Sequence, residues 1–410
     1  MATYHYGGQA LIEGVLMRGK NALAIALRHP DGSIVWATER LDLGLRAQRA
    51  MKLPFLRGLV VLYDTLVTGT RWLVRSATVQ ALALEMEDGA AGKGGSGGAT
   101  GSGGATTIAG LFHTIPMVFA GPALCAAGDS GSAGSAGDAP KTAYTNPDTS
   151  SAGPSVPSAE QGLGKGYTVA VGGMLALSLL IGIGIFFLVP LLLARATVGR
   201  VDQGFGLQLS EGLIRVVIFV GYLLLMSRAG DVRRTFQYHG AEHMSIHTLE
   251  GGDPLTVEAA RKYPTAHPRC GTEFLVVVLI VSILAFAVVG KLPPLWLILS
   301  RVALVPVIAA ISYELLQLGA RHRRHAVVRW LWSPGIWVQA ITTRQPTDGM
   351  IEVAIVSLER ALVADGNEIP AGSGYFAARP LNPEAESLAE AAAPVAVAEP
   401  AAVNPAGVDS

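Results

Sequence analysis

The chain has 410 residues, half of them hydrophobic and only 15% charged, with acidic and basic groups in balance. Soluble domains carry about a quarter charged residues, so the shortage of charge and the long apolar runs point to an integral membrane protein. A neutral chain lacks the basic footprint of a nucleic-acid binder, and two distant cysteines, Cys125 and Cys270, exclude a disulfide framework.

Met1 to Gly19 lacks the uninterrupted apolar core of a signal peptide, so insertion is expected to depend on an internal span. Ala22 to Arg28 and Ser33 to Arg40 are strand-like, and His29-Pro30-Asp31-Gly32 between them is a turn, which together predict a hairpin. Pro54 to Glu87 has helical spacing in Leu56, Leu59, Val60, Tyr63, Leu66 and Val67, interrupted by Arg57, Asp64, Arg71 and Arg75. Such a helix packs on the protein or lies in the membrane interface. Residues 1–88 are therefore read as a small cytoplasmic α+β portion, a hairpin plus an amphipathic helix. Residues 89–166 are rich in Gly, Ser, Ala and Pro, the composition of a disordered insert. Within it Ile108 to Ala127 is apolar, and reads as a membrane-seeking patch or as a span interrupted by Pro116, Gly121 and Pro122.

Four apolar segments follow in residues 167–320: Tyr167 to Leu193, Leu213 to Met226 (of spanning length if it begins near Leu207), Phe274 to Val289 and Leu295 to Leu318. Spanning the hydrocarbon core takes about 20 helical residues. The fold class expected is therefore mainly α, a polytopic membrane protein with about four transmembrane helices. Residues 228–273 form its central loop. Residues 321–363 are a basic and aromatic interfacial segment with Trp330, Trp332 and Trp337. A strand at Glu352 to Val356 and a short helix at Ser357 to Val363 are expected there. From residue 364 to 410 the Ala, Pro and Glu content predicts a disordered tail.

Basic residues set the orientation. Arg46, Arg49, Lys52 and Arg57 precede the first span. Arg228, Arg233, Arg234, Arg261, Lys262 and Arg269 fill the central loop, and Arg321, Arg323, Arg324 and Arg329 follow the last span. The other two connections offer only Arg195 and Arg200, then Lys291. Four spans put all the basic segments, the central loop and both termini on the cytoplasmic side of the membrane.

The central loop holds the chemistry. His239-Gly240-Ala241-Glu242-His243 has the order His-x-x-Glu-His. On a helix the two imidazoles share a face and can bind one metal ion, with Glu242 placed as a general base. His247 lies on the same face, but eight residues from His239 is about 12 Å along the axis, too far for one ion. A further ligand must come from elsewhere: Cys270 or His267, whose donors suit zinc, or Glu314 at the cytoplasmic end of the last span. The plain alternative is a set of hydrogen-bonded histidines, a buried cysteine and a Glu314 paired with Arg321 or Arg323.

Several separated blocks resemble the YqhQ-like family, a domain-of-unknown-function family of bacterial membrane proteins described as predicted metal-dependent enzymes. They are Tyr6-Gly7-Gly8-Gln9-Ala10-Leu11-Ile12-Glu13-Gly14-Val15, Pro54-Phe55-Leu56-Arg57-Gly58, Phe236 to His243 and His267-Pro268-Arg269-Cys270-Gly271. Arg301 to Ile311 with Glu314, Pro334 to Gln339 and Glu352 to Ile355 complete the set. Met244 departs from the pattern, which has lysine there. The resemblance implies a multi-pass protein of the bacterial plasma membrane with a metal, but no substrate.

Two functions are compatible with these residues. One is a zinc hydrolase at the cytoplasmic face, with His239 and His243 as ligands, Glu242 as base, and Cys270, His267 or Glu314 completing the shell. The other is a non-enzymatic scaffold or regulator with a structural metal site, meeting a protein partner through its cytoplasmic segments. A transporter is less well supported, since no pair of broken helices is evident.

Overall fold

A computed structural model describes residues 6–41, 51–91, 180–198, 205–268, 270–289, 292–322 and 325–381, with Gly173 and Leu177. The expected insert beyond residue 91, its Ile108 to Ala127 patch and the tail beyond residue 381 lie outside these residues. Strands β1 Gly7–Leu11, β2 Gly14–Arg18, β3 Ala22–Arg28 and β4 Ile34–Arg40 come first, and then the long helix α1 Leu56–Ala91. A π-helical turn, Gly184–Leu188, leads into α2 Val189–Thr197, followed by α3 Phe205–Met226, α4 Gly230–Gly251 and the short α5 Val257–Ala260. Then come α6 Thr272–Val289, α7 Pro294–Ala303, α8 Val305–Arg321, α9 Ala326–Thr342, α10 Asp348–Ala364 and β5 Ala378–Pro380.

The chain is a mainly helical membrane protein with a small sheet. Four segments among the described residues are long and apolar enough to span: Leu180–Thr197, Gly206–Met226, Thr272–Val289 and Leu295–Arg321. The fourth combines α7 and α8, which meet just before Pro306. Proline removes an amide donor, and its ring crowds the preceding turn, so the break falls there.

The sheet is an antiparallel meander, β1 to β4, to which β5 adds in parallel beside β4. The expected hairpin is β3–β4. The pair before it carries Gly7, Gly8 and Gly14, residues poor in strand propensity, and was not legible. Both faces of the sheet are covered. Leu23, Ile25 and Leu27 join a core with Trp72, Leu73 and Val79 of α1, while Ala24 and Ala26 join one with α4 and α10. The run Ala-Leu-Ala-Ile-Ala-Leu thus alternates small and large residues, not polar and apolar ones, and the small face admits two helices.

Two expectations are corrected. The strand at Glu352 to Val356 and the short helix after it are one helix, α10, with Ile351, Val353, Ala354, Ile355, Val356, Leu358 and Ala361 all buried. An apolar run buried nearly all round hides its helical period. The tail expected from residue 364 is structured as far as Leu381. Asp365 accepts amide hydrogens from Lys20, Asn21 and Ala22 in the β2–β3 connection, and β5 then pairs with β4.

Candidate metal centre

The first half of the central segment, read as a loop, is the helix α4. It is polar in composition yet largely buried, with Tyr238, Ala241, Met244 and Leu249 in the core shared with the sheet. Met244, the departure from the family pattern, belongs to that core. Glu13, at the β1–β2 turn with φ of 55°, accepts from Arg234 (2.5 and 2.6 Å) and from the Tyr238 hydroxyl, fastening the sheet to α4. At the far end Gly252 takes the left-handed conformation, φ 77°, and closes the helix with its amide on Thr248 and Leu249 carbonyls. The chain leaving α9 crosses α4 at Gly240: Arg344 N–H donates to the Phe236 carbonyl at 2.9 Å.

His239, His243 and Cys270 form one donor group, with all three ligand atoms within 4.8 Å of one another. His239 Nδ1–H donates to the Thr342 carbonyl (2.9 Å), and its Nε2 stands 3.2 Å from Cys270 Sγ. His243 Nδ1–H donates to the Thr265 carbonyl (2.5 Å), while its Nε2 is buried without a hydrogen-bond partner. A hydrogen bond at one ring nitrogen fixes the tautomer and leaves the other with a lone pair, the arrangement of metal-ligating histidines. Glu242 is buried, with one oxygen 4.0 Å from His239 Nε2 and without a hydrogen-bond partner. A Cβ on Gly8 would lie 2.6 Å from its carboxyl carbon, and the Gly8 N–H donates to the carboxylate.

Burial dominates the electrostatics. It pushes the Glu242 carboxyl up to about 7, against the opposing pull of His239 and the Gly8 amide. Burial also holds His243 well below the ordinary imidazole value, helped by His239 and His267, so the ring is neutral. The Cys270 thiol is pushed up to about 12 by burial and by Glu242, although the Thr272 amide and hydroxyl bond to its sulfur. A bound cation inverts that logic and deprotonates a coordinating thiol.

Of the ligands expected from sequence, His239, His243 and Cys270 come together. His267 does not join them. It forms a second group with His247 and Glu250, and its main chain is clamped by Gln339, which accepts from its N–H (2.8 Å) and donates to its carbonyl (3.0 Å). Glu314 belongs to neither group. Its carboxylate takes the Arg57 guanidinium and the Phe55 amide. Phe55 has φ of 68°, so Glu314 secures the entry to α1. Sequence reasoning missed Gly8, Gln339 and the carbonyls of Thr265 and Thr342. Gly8 and Gln339 lie inside the blocks of family resemblance, which was the available signal, whereas a main-chain carbonyl has no signature in sequence.

"Uncharacterized protein YqhQ" of Bacillus subtilis (strain 168) is 29% identical over 364 residues, covering 87% of this chain and 92% of that protein. No solved structure matches. The family model described as "Protein of unknown function (DUF1385)" matches residues 53–364, which take in α1, all four spans and both donor groups, and the chain belongs to that YqhQ-like family.

Proposed function

We propose that the protein is a metal-dependent hydrolase working at the cytoplasmic membrane face, with zinc held by His239, His243 and Cys270 and with Glu242 as general base. The observation that carries this reading is the pair of imidazoles whose Nδ1–H groups are tied to Thr342 and Thr265 carbonyls, leaving both Nε2 atoms available beside a sulfur. A thiolate and two neutral imidazoles suit zinc, and three protein ligands are the catalytic rather than the closed structural number. When bound, the ion supplies Lewis acidity and acidifies water. Glu242, poised near neutral pH beside the donors, takes a proton from water and returns it to a leaving group. The Gly8 N–H holds the carboxylate, which fits against the strand because Gly8 has no Cβ.

Near-complete burial of His243, Glu242 and Cys270 favours a second reading, a structural ion that locks α4 to the start of α6. One experiment separates the two. Detergent-purified protein is assayed for zinc and for turnover of ester, amide and phosphoester panels. His243→Ala should lower zinc by one equivalent per chain, and Glu242→Gln should keep zinc and abolish turnover. Undiminished turnover in Glu242→Gln would remove the general base, and zinc with no turnover in any panel would favour the structural ion.

A further inference from the structure

We infer that His247, Glu250 and His267 form a second divalent-cation site beside the first, an inference that extends the proposed metal centre to two ions. The three donor atoms lie within 4.8 Å of one another. Tetrahedral ligation with metal–nitrogen bonds of about 2 Å separates donors by roughly 3.4 Å. His267 Nε2 and Glu250 Oε2 are 3.5 Å apart, already at that spacing. The His247 and His267 rings are 4.3 Å apart between centroids.

The orientation of His247 repeats the device of the first group. Its Nε2–H donates to the Ala266 carbonyl at 3.0 Å and so sets the ring's orientation. Tyr263 stacks on the ring, nearly parallel at 6° and 5.9 Å between centroids, and holds its plane. Tyr263 is itself fixed through its hydroxyl to Asp253 at 3.0 Å. Helical geometry supplies the rest: His247 and Glu250 are three residues apart on one face of α4, and His267 is presented to them by the Gln339 clamp. The eight residues that keep His247 from the ion of His239 are what give it a site of its own.

The two groups are contiguous. Ring centroids step from His239 to His243 at 4.4 Å, from His243 to His267 at 5.6 Å, and from His267 to His247 at 4.3 Å. They differ in softness and access. The first has a thiolate and is buried. The second has only imidazole and carboxylate donors, and the Glu250 side chain is 27% exposed. The outer site therefore takes a harder or borderline divalent ion and exchanges it more readily with solvent.

Cobalt(II) titration of chelator-stripped, detergent-purified full-length protein tests this, because a thiolate ligand gives a sulfur-to-cobalt charge-transfer band and imidazole or carboxylate does not. Wild type should bind two equivalents per chain, one with that band and one without. His247→Ala and Glu250→Gln, both at partly exposed positions, should lose only the bandless equivalent while their thermal midpoints stay near wild type. Saturation of wild type at one equivalent carrying the band would overturn the second site and leave the proposed zinc centre standing. A single bandless equivalent lost in Glu250→Gln would support the second site and remove the first. No binding at all would overturn both.

Discussion

Alanine at position 240 would gain about 1 kcal/mol of helix propensity over glycine, but its Cβ would lie 2.2 Å from the Arg344 carbonyl oxygen. The obstacle is backbone, and that backbone is anchored, since the Arg344 amide donates to Phe236 on the same helix. Overpacking of this kind costs about 1–3 kcal/mol, enough to exceed the propensity gain. Gly240→Ala should therefore lower the thermal midpoint. It should also weaken the proposed zinc site, because Thr342, two residues before Arg344, supplies the carbonyl that orients His239. A midpoint at or above that of wild type would show that the crossing segment yields freely. By propensity alone this glycine is only a weak point in the helix. The spacing of His239, Glu242 and His243 was legible because helical periodicity carries it. The reason for the glycine between them was not, because it lies in a backbone contact about a hundred residues away in the chain.

Two spans meet at one buried carboxylate, and Arg215 ties the other two to it. Glu211 of α3 accepts from Arg215 (2.6 Å) and from Arg301 of α7 (2.7 Å), and all three side chains are almost wholly buried. Arg215 also donates to Ser282 of α6 (3.2 Å) and to the Phe186 carbonyl (2.9 Å) in the π-helical turn. The Phe286 ring lies under both guanidinium groups, 4.9 and 4.0 Å from their central carbons. Removing one member of a buried charge pair typically costs about 3–5 kcal/mol, while replacing the whole set by apolar groups costs far less. Glu211→Ala should accordingly lower the midpoint in detergent sharply, and adding Arg215→Met and Arg301→Met should recover part of the loss. Equal midpoints for Glu211→Ala and wild type would show that the cluster contributes nothing to stability. In the sequence Arg301 is a charge inside the last apolar segment, Leu295 to Leu318. Its partner is not legible there, because periodicity cannot say which faces of two distant helices meet.

The packing of the whole molecule restricts how the chain crosses the membrane. The sheet precedes the first span, α4 lies between the second and third, and α10 follows the fourth. All three share one core, so an even number of crossings must separate each from the next. Two and two satisfies this, and three or five spans in all would not. Composition and length had indicated four spans, and the shared core is an independent reason for them. That reason could not be read from sequence, because the residues that join the layers, such as Ser357 donating to the Val15 and Ala24 carbonyls, lie more than three hundred positions apart. The packing fixes which segments share a side but not which side it is. For that the basic residues decide, and they count by number even when paired, as Arg57 is with Glu314 and Arg261 with Asp348, since the rule concerns Lys and Arg rather than net charge. The shared side carries most of them, so it is expected to be cytoplasmic. Reporter fusions after Arg200 and after Lys291 should then read outside, and a fusion at Gly252 inside. An outside signal at Gly252 with inside signals at the other two would invert the protein and put both donor groups on the extracytoplasmic face. A mixed pattern, with Gly252 and Arg200 on one side, would contradict the four-span arrangement itself.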